Sequence, residues 1–419
     1  MGATMLELNK IYNMNCLDGL KLLDDNSIDN IVTDPPYELG FMSKAWDNTG
    51  IAYNVELWKQ ALRVLKPGGH LLAFGGTRTY HRMACAIEDA GFEIRDQIQW
   101  LYGSGFPKSL NIGKAVDKLQ GNEREDLGKH PNARETLGDI QICKKNGNGR
   151  LTKGTSEWEG WGTALKPANE PICVARKPLS EKTVAENVLK WGTGGINIDA
   201  CRVGNVVNTK RPCGKALLGT FEGQEGKISD RDDVGRFPAN IIHDEEAGRL
   251  LDEQSGVSKS SGGASGVKNN KIYGQFNNEQ TKGCGLGDSG GASRFFYCAK
   301  ASKAERDAGL GDMEGRAKCE IDKMGGSKCS MKTGSGNERN VVYKNNHPTV
   351  KPIKLIEYLV KLVTPKGGVS LDMFEGSGTH ALACENLGFD YLGFELEKEY
   401  MPIIQKRLEA HKSQLRLEL

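Results

Sequence analysis

The chain has 419 residues, of which 38% are hydrophobic and 26% are charged, and its formal net charge is +2. This composition excludes a wholly disordered chain, and the length allows one large core together with a long insertion. No run of about 18 apolar residues occurs, which excludes a membrane-spanning protein.

The N-terminal part predicts strands that alternate with helices. The predicted strands are Leu6–Asn13, Asp29–Asp34, His70–Phe74 and Ile94–Leu101. The first and third predicted helices are Asp18–Leu23 and Thr79–Ala90. The second has Trp58–Leu65 as its last residues and is stopped by Pro67-Gly68-Gly69. Such alternation predicts an α/β fold with a doubly wound, mostly parallel sheet.

The middle stretch, residues 103–345, differs from both ends in composition. It carries 38 Lys and Arg against 31 Asp and Glu, and it holds 38 of the 53 glycines. Ser258–Gly266 and Gly283–Ser293 are the best candidates for mobile loops within it. We interpret the stretch as a Gly-rich insertion. Its mild positive charge fits either a face for a polyanion or an ordinary solvated surface.

The C-terminal part repeats the alternating pattern. Its predicted elements are helix Ile353–Val363, strand Val369–Phe374, helix His380–Leu387, strand Tyr391–Glu395 and a final amphipathic helix Lys398–Leu417. Gly388 is the predicted end of the second of these helices.

The cysteines predict free thiols. There are eleven, an odd number, scattered along the chain, and the first ten residues lack the layout of a signal peptide. The two nearest in sequence, Cys319 and Cys329, are ten positions apart, so no zinc-type pair occurs. We therefore expect a cytoplasmic protein with reduced thiols and without a structural metal.

A glycine-rich loop lies late in the chain. Phe374–Ala381 (FEGSGTHA) follows a predicted strand and opens a predicted helix, and Glu395 comes 19 residues after Gly376. Glycines let a backbone approach a ligand closely, and an acid at the end of the next strand can bind ribose hydroxyls. A tight turn without a ligand remains an alternative.

The position of this loop predicts a circular permutation. Only 24 residues follow Glu395, too few for the strands that a dinucleotide fold still needs. The missing strands have to come from the N-terminus, which makes an ordinary NAD enzyme a poor fit.

A second motif, Asp34-Pro35-Pro36-Tyr37, directly follows a predicted strand. Ligands of open α/β sheets bind beyond the carboxyl ends of strands. Two prolines stiffen the turn, so a carboxylate and an aromatic ring would be held at the ligand crevice.

An early DPPY and a late F-x-G-S-G-T loop, separated by a long insertion, resemble the circularly permuted (β-class) amino-methyltransferases of DNA. Flanking segments strengthen the resemblance: Ile11–Asn13, Leu65–Gly69 and His347–Pro352. It covers residues 9–110 and 346–405. Patches of the insertion resemble a phage or prophage branch of that family, namely Trp100–Ser109, Leu165–Pro171, Phe237–His243 and Phe295–Arg306.

The resemblance implies a Rossmann-like methyltransferase in three parts. Residues 1–102 would form the catalytic half, 103–345 an insertion with the target-recognition region, and 346–419 the cofactor half. The methyl donor of the family is S-adenosylmethionine, no metal is expected, and the partner is double-stranded DNA. A homodimer is left open, and no membrane association is expected.

The resemblance also assigns the donor site. Residues 372–379 would wrap the donor, Glu395 would bind its ribose, His347–Lys351 would lie near its methionine end, and Asn15 with Cys16 at its adenine ring. The implied cofactor residues are Asn15, Cys16, His347, Thr349, Lys351, Asp372, Phe374, Glu375, Gly376, Ser377, Gly378, Thr379 and Glu395.

Two positions depart from the family pattern. Asn15 stands where Asp is common, and its amide oxygen still offers an acceptor, so weaker binding is expected. Glu375 replaces a small or apolar residue, and its charge would either favour the sulfonium or point to solvent.

The implied catalytic residues are Asp34, Pro35, Pro36 and Tyr37. The Asp34 carboxylate and the Pro35 carbonyl would accept the two N–H bonds of a base amine, and Tyr37 would stack on a base flipped out of the duplex. In the family that the chain resembles, Asp before Pro-Pro-Tyr is commoner for adenine and Ser for cytosine, so the resemblance favours adenine N6 over cytosine N4. The alternatives are methylation of glutamine or RNA, in which the cofactor loop usually comes first, and an inactive nucleic-acid-binding relic.

Overall fold

A nine-stranded sheet organises the chain in the computed structural model. The residues that the structure describes are 6–39, 45–103, 105, 109–129, 150–204, 235–259, 288–299, 303–311, 313, 316–317 and 342–417. Within these residues no helix combines the length and apolar character that crossing a bilayer requires.

The strands and helices are numbered in chain order. The strands are β1 Lys10–Asn13, β2 Ile28–Thr33, β3 Leu65–Phe74, β4 Glu93–Leu101, β5 Glu125–Lys129, β6 Arg150–Lys153, β7 Asn169–Arg176, β8 Ile241–His243, β9 Ser258–Lys259, β10 Ser289–Gly290, β11 Tyr297–Cys298, β12 Arg316–Ala317, β13 Val342–Tyr343, β14 Val369–Asp372 and β15 Asp390–Glu395. The helices are α1 Cys16–Lys21, α2 Val55–Val64, α3 Tyr80–Asp89, α4 Ile112–Gln120, α5 Val184–Trp191, α6 Glu245–Ser255, α7 Lys303–Asp307, α8 Ile353–Val363, α9 Thr379–Leu387 and α10 Met401–Leu417.

The large sheet has the strand order β1-β15-β14-β2-β3-β7-β4-β8-β11. All neighbouring pairs are parallel except the two that β7 makes, with β3 and with β4. The predicted mostly parallel, doubly wound sheet is therefore confirmed.

The two ends of the chain share this sheet. Strand β14, from the C-terminal part, lies beside β2, with Ser370 opposite Asn30 and Leu371 opposite Ile31. Strand β1 lies beside β15 at the edge of the sheet. The predicted permutation is confirmed, since N-terminal strands complete the sheet that β14 and β15 begin.

The insertion supplies three strands of the same sheet. Strand β7 lies between β3 and β4, and β8 with β11 extends the sheet beyond β4. Ile172 and Cys173 in β7 are fully buried, which accounts for the apolar run in this segment. The insertion thus contributes to the core of the sheet beside β3 and β4.

The second helix ends one residue before its predicted end, and the strand after it starts at Leu65, five residues before the predicted start at His70. Helix α2 ends at Val64, and β3 starts at once with Leu65 opposite Ile28. Pro67, Gly68 and Gly69 lie inside this strand at a register shift, where Gly68 has φ +81°. A left-handed glycine permits this irregularity in the strand, so the Pro-Gly-Gly sequence marks a bulge.

Apolar side chains cover both faces of the sheet. Leu20, Trp58 and Phe394 belong to one cluster, and Phe74 and Leu359 belong to the other. The indole Nε1 of Trp58 donates to the Ala52 carbonyl at 2.9 Å, so its one polar atom has a partner in the core. The parallel strands are thus buried on both sides, as their apolar sequences require.

The loop and thiol predictions fall partly outside the described residues. Ser258–Lys259 pairs with Ser289–Gly290 as a short antiparallel ladder, so the ends of the two predicted mobile loops are paired. Residues 260–287 lie outside the described residues, as do Cys319 and Cys329. The described cysteines are free thiols: Cys16, Cys85, Cys173, Cys201, Cys298 and Cys384.

Candidate active site

A cavity of about 1360 Å³ lies at the carboxyl ends of the central strands. Strands β1, β15, β14 and β2 are parallel neighbours, so the residues that follow each of them meet at one edge. Both predicted motifs, DPPY after β2 and the glycine loop after β14, therefore open into one space. Of the predicted site residues, all but Gly378 line this cavity.

Asp34 is held by Lys351 at the end of the cavity that the DPPY motif lines. The Lys351 ammonium Nζ lies 2.5 Å from Asp34 Oδ2, while Asp34 Oδ1 is buried and has no hydrogen-bond partner among the described residues. Burial raises the pKa of Asp34, and the Lys351 ammonium opposes this shift. Burial also opposes the charge on Lys351, but the carboxylates of Asp34 and Glu170 outweigh it and raise the pKa of Lys351.

Lys351 contacts the DPPY motif directly. Its ammonium lies on Asp34 and lines the cavity in which the resemblance predicts it near the methionine end of the donor. It also lies 4.9 Å from the centre of the Phe74 ring and 5.4 Å from that of Tyr37. Its contacts are thus those of the catalytic motif.

Tyr37 is oriented through its hydroxyl and its backbone. The hydroxyl donates to Glu170 Oε2 at 2.7 Å and accepts from Lys351 Nζ at 3.2 Å. The Tyr37 carbonyl accepts from Thr79 Oγ1 at 2.7 Å. Burial, followed by the nearby Asp34 and Glu170 carboxylates, raises the pKa of Tyr37, so the phenol is neutral. Pro35 and Pro36 line the cavity beside it.

Asp372 joins the catalytic strand to the glycine loop. Its Oδ1 accepts from Thr33 Oγ1 at 2.6 Å and from the Phe374 N–H at 2.9 Å. Thr33 is the last residue of β2, so this bond fixes the start of the glycine loop against the residue before Asp34. Burial and the Glu375 carboxylate raise the pKa of Asp372.

The two loop glycines are required for different contacts. Gly376 has φ +59°, and a Cβ there would lie 2.9 Å from His347 Nε2. Gly378 has φ +82° and faces Ile404 of α10, which a Cβ would meet at 3.2 Å. Left-handed backbone favours glycine at both positions. Gly378 turns the chain into α9 and is the one predicted cofactor residue that does not line the cavity.

Glu395 closes the loop from the neighbouring strand end. Its Oε2 accepts from the Gly376 N–H and its Oε1 from the Glu397 N–H, both at 2.7 Å. Burial raises the pKa of Glu395 to about 7, and the two backbone donors limit the shift. The carboxylate lines the cavity at the end of β15, the place predicted for a ribose contact.

Glu375 is buried and turned into the protein, which excludes the alternative that it points to solvent. Its Oε1 accepts from the Ala381 N–H at 2.8 Å, in the first turn of α9, where a carboxylate complements the helix dipole. Its Oε2 lies 3.4 Å from His380 Nδ1. Burial opposes a charged imidazole, but Cys384 and the Glu375 carboxylate outweigh it and raise the pKa of His380.

Arg407 of α10 holds the remaining polar side chains of the loop. Its Nη1 donates to the Ser377 carbonyl at 2.6 Å, to Ser377 Oγ at 3.0 Å and to Thr379 Oγ1 at 3.3 Å. The last helix therefore fixes the turn that leads from Gly376 into α9.

The other predicted donor contacts surround the same end of the cavity. Burial lowers the pKa of His347 to about 3, so its ring is neutral, and it packs edge-on against Tyr400 at 4.7 Å. Thr349 lines the cavity. Asn15 uses its amide oxygen to cap α1, accepting from the Leu17 N–H at 2.9 Å. Burial raises the pKa of the Cys16 thiol to about 12, which keeps it protonated.

Comparison with known families decides the affiliation. A family model described as a DNA methylase, N6_N4_Mtase, matches residues 28–406. The chain belongs to this DNA methylase family. The match runs from β2 to α10 and so includes both ends of the cavity and the insertion between them.

Individual relatives of this chain match shorter segments. M2.DpnII, a type II methyltransferase of Streptococcus pneumoniae, is 41% identical over 78 residues, which are 19% of this chain and 29% of the relative. M.HindIII of Haemophilus influenzae is 25% identical over 228 residues, which are 45% of this chain and 64% of the relative. The chain thus matches less than two thirds of the length of either relative.

Two solved methyltransferases align along most of this chain. The M1.HpyAVI complex with SAM has 16% identity and a TM-score of 0.37, and the alignment covers 95% of this chain and 98% of that chain. The cytosine-N4-specific PvuII DNA methyltransferase has 13% identity and a TM-score of 0.41, with 99% of this chain and 95% of that chain covered.

Sequence reasoning missed two residues of the candidate site. Glu170 belongs to Leu165–Pro171, a segment that was singled out without a role for any of its side chains. Its signal is an acid at the start of an apolar strand, where a buried charge needs a partner. Arg407 gave no such signal, because an arginine on an amphipathic helix is usually solvated.

Proposed function

We propose that this methylase transfers a methyl group from S-adenosylmethionine to the N6 amine of an adenine flipped out of double-stranded DNA. The observation that carries the proposal is the free acceptor Asp34 Oδ1, buried in the cavity that the glycine loop also lines. A buried carboxylate oxygen without a partner costs free energy, so its retention is best explained by a ligand donor.

The residues at the other end of the cavity fit the donor. Gly376 lets the loop backbone approach a ligand, and Glu395 presents a carboxylate at the end of the adjacent strand, where ribose hydroxyls can donate to it. Uncharged groups, including the His347 ring and the Cys16 thiol, line the same cavity. S-adenosylmethionine supplies an electrophilic methyl group on a positively charged sulfur.

The catalytic residues act on the amine. An exocyclic base amine is a poor nucleophile because its lone pair conjugates with the ring. Asp34 Oδ1 accepts one amine N–H and so favours a nitrogen whose lone pair points away from the ring plane. Positive charge develops on this nitrogen in the transition state, and a fixed carboxylate stabilises it. The Tyr37 ring offers a face for stacking of the flipped base.

Adenine is proposed as the target because Asp34, and not Ser, precedes Pro-Pro-Tyr. We also propose that residues 103–345 carry the target-recognition region. Strand β7 of this stretch brings Glu170 to the catalytic end of the cavity. The same stretch contributes the surface residues Leu165 and Lys166 to the cavity mouth. Sequence readout depends on side chains that reach base edges.

The test is modification-sensitive sequencing of DNA from a methylation-deficient bacterial host that expresses the chain. We expect N6-methyladenine within one sequence motif for the wild type and none for Asp34→Ala. Isothermal titration should give the same S-adenosylmethionine affinity for both proteins, because Asp34 is assigned to the base. N4-methylcytosine in the motif would overturn the adenine assignment. Unmodified DNA together with no heat on titration would identify an inactive relic.

A further inference from the structure

Four polar side chains from three distant parts of the chain form one cluster beside the catalytic motif. Asp34 and Tyr37 follow β2, Lys351 precedes α8, and Glu170 lies on β7 of the insertion. Lys351 Nζ lies 2.5 Å from Asp34 Oδ2 and 3.3 Å from Glu170 Oε2. The Tyr37 hydroxyl bridges Glu170 and Lys351, since it donates to the first and accepts from the second.

The charge of this cluster decides what Asp34 can do. Lys351 is 7% exposed and has ion pairs with both carboxylates. With Asp34 alone, the ammonium would form a neutral pair, and a neutral pair gives little stabilisation to a second cation beside it. With Glu170 present, two carboxylates share one ammonium, and the cluster carries a net charge of −1.

The reaction needs that remaining negative charge. The base nitrogen forms a bond to the methyl carbon while the carbon–sulfur bond breaks and sulfur keeps the electron pair. The nitrogen gains positive charge and then loses one proton to water. Asp34 Oδ1 is the buried acceptor that faces this nitrogen, and its effective charge depends on how strongly Lys351 is engaged elsewhere.

We infer that Glu170 is a positioning residue for methyl transfer, which binds Lys351 and Tyr37 and keeps the pocket net negative towards the base amine. The inference rests on the proposed function and deepens it. The insertion thereby contributes to catalysis as well as to the sheet. Glu170 acts through its two neighbours, so its loss affects the transfer step and leaves the donor end of the cavity intact.

The test compares Glu170→Gln with the wild type in single-turnover methylation of genomic DNA from a methylation-deficient host. Loss of one preorganised electrostatic group typically lowers a rate by about 10²-fold, and we expect an effect of this order. S-adenosylmethionine affinity, measured by titration, should stay within about twofold because the cofactor end is untouched. Glu123→Gln, an exposed change in the same insertion, should leave both quantities unchanged.

The pH profile separates this role from a structural one. The Glu170 charge disfavours ionisation of Asp34. In a plot of methylation rate against pH, removal of the Glu170 charge should therefore move the acidic limb to lower pH and lower the maximum rate. Glu170→Asp, which keeps the charge, should retain more activity than Glu170→Gln. If Glu170 were merely structural, its substitution would lower the maximum rate and the donor affinity together and would leave the acidic limb at the same pH.

The outcomes distinguish the inference from the function on which it rests. A wild-type protein that methylates no DNA overturns the proposed function and this inference with it. An active wild type with a Glu170→Gln variant of equal rate and equal pH profile overturns the inference alone. The same holds if both Glu170 variants lose thermal stability, donor binding and activity in parallel.

Discussion

Glu395 is the residue whose protonation should control cofactor affinity near neutral pH. Its pKa is raised to about 7 by burial, so the carboxylate gains a proton as the pH falls through 7. Only the ionised form offers both oxygens as acceptors to ribose hydroxyls. If only that form binds, the dissociation constant of S-adenosylmethionine should rise about tenfold per pH unit below 7, which titration calorimetry from pH 8 to pH 5.5 would measure.

Glu395→Gln is the matched control for this prediction. The amide keeps the shape and does not titrate, so binding should be weaker at pH 8 and nearly independent of pH. A slope that persists in the variant would point to Asp372, a cavity carboxyl beside the glycine loop whose pKa burial also raises. A flat wild-type profile would contradict the role of Glu395.

The Tyr37 hydroxyl should matter for catalysis as well as the ring. Tyr37→Phe preserves stacking but leaves Glu170 Oε2 without its 2.7 Å donor. Loss of one partner from a buried hydrogen bond to a charged group costs about 1–3 kcal/mol, or about 5- to 150-fold in the single-turnover rate. Tyr12→Phe is a suitable control, because among the described residues that hydroxyl bonds to the Glu7 backbone alone. Equal rates for wild type and Tyr37→Phe would reduce Tyr37 to a stacking surface.

At the scale of elements, the turn from β14 into α9 depends on glycine backbone. Gly376→Ala should destabilise the fold by about 1–2 kcal/mol because of its left-handed φ of +59°. It should also weaken S-adenosylmethionine binding, since the new Cβ would lie 2.9 Å from His347 Nε2 and would displace the His347 ring. Differential scanning calorimetry and titration would measure the two effects.

Gly388→Ala separates backbone strain from the contact with His347. Gly388 has φ +70° at the end of α9, and a Cβ there would meet nothing within 4 Å. It should show a similar loss of stability with unchanged donor affinity. Equal donor affinity in both variants would show that the close approach of His347 to Gly376 is dispensable.

Local patterns predicted most of the elements around the cavity, and tertiary pairing decided the rest. Ile353–Val363 is a helix as predicted, because its apolar periodicity and the preceding Pro352 define it locally. The place of β7 between β3 and β4 could not be read from its apolar run, since any parallel or antiparallel partner would bury that run equally well. Glu170 enters the site only through this pairing, and sequence reasoning therefore missed it.

At the scale of the molecule, one sheet joins the catalytic motif, the donor loop and the insertion. The bond from Thr33 to Asp372 links the two halves, and the ion pair from Lys351 to Glu170 links the C-terminal part to the insertion. The site residues thus come from segments more than 130 positions apart in the chain. Their arrangement depends on the whole sheet, so the insertion cannot be removed without removing a central strand.

Duplex DNA should lie across the mouth of the cavity, where Arg78 and Lys166 are exposed lining residues. The net charge of +2 is small, so we expect a moderate salt dependence from a few phosphate contacts. Arg78→Gln should weaken duplex binding and reduce the slope of log affinity against log salt by about one unit, with the methylated motif unchanged. Fluorescence anisotropy over a salt series measures the slope.

Arg95→Gln is the control, because Arg95 lies near the amino end of β4, at the opposite edge of the sheet. Equal slopes for Arg78→Gln and wild type would place the duplex elsewhere on the surface.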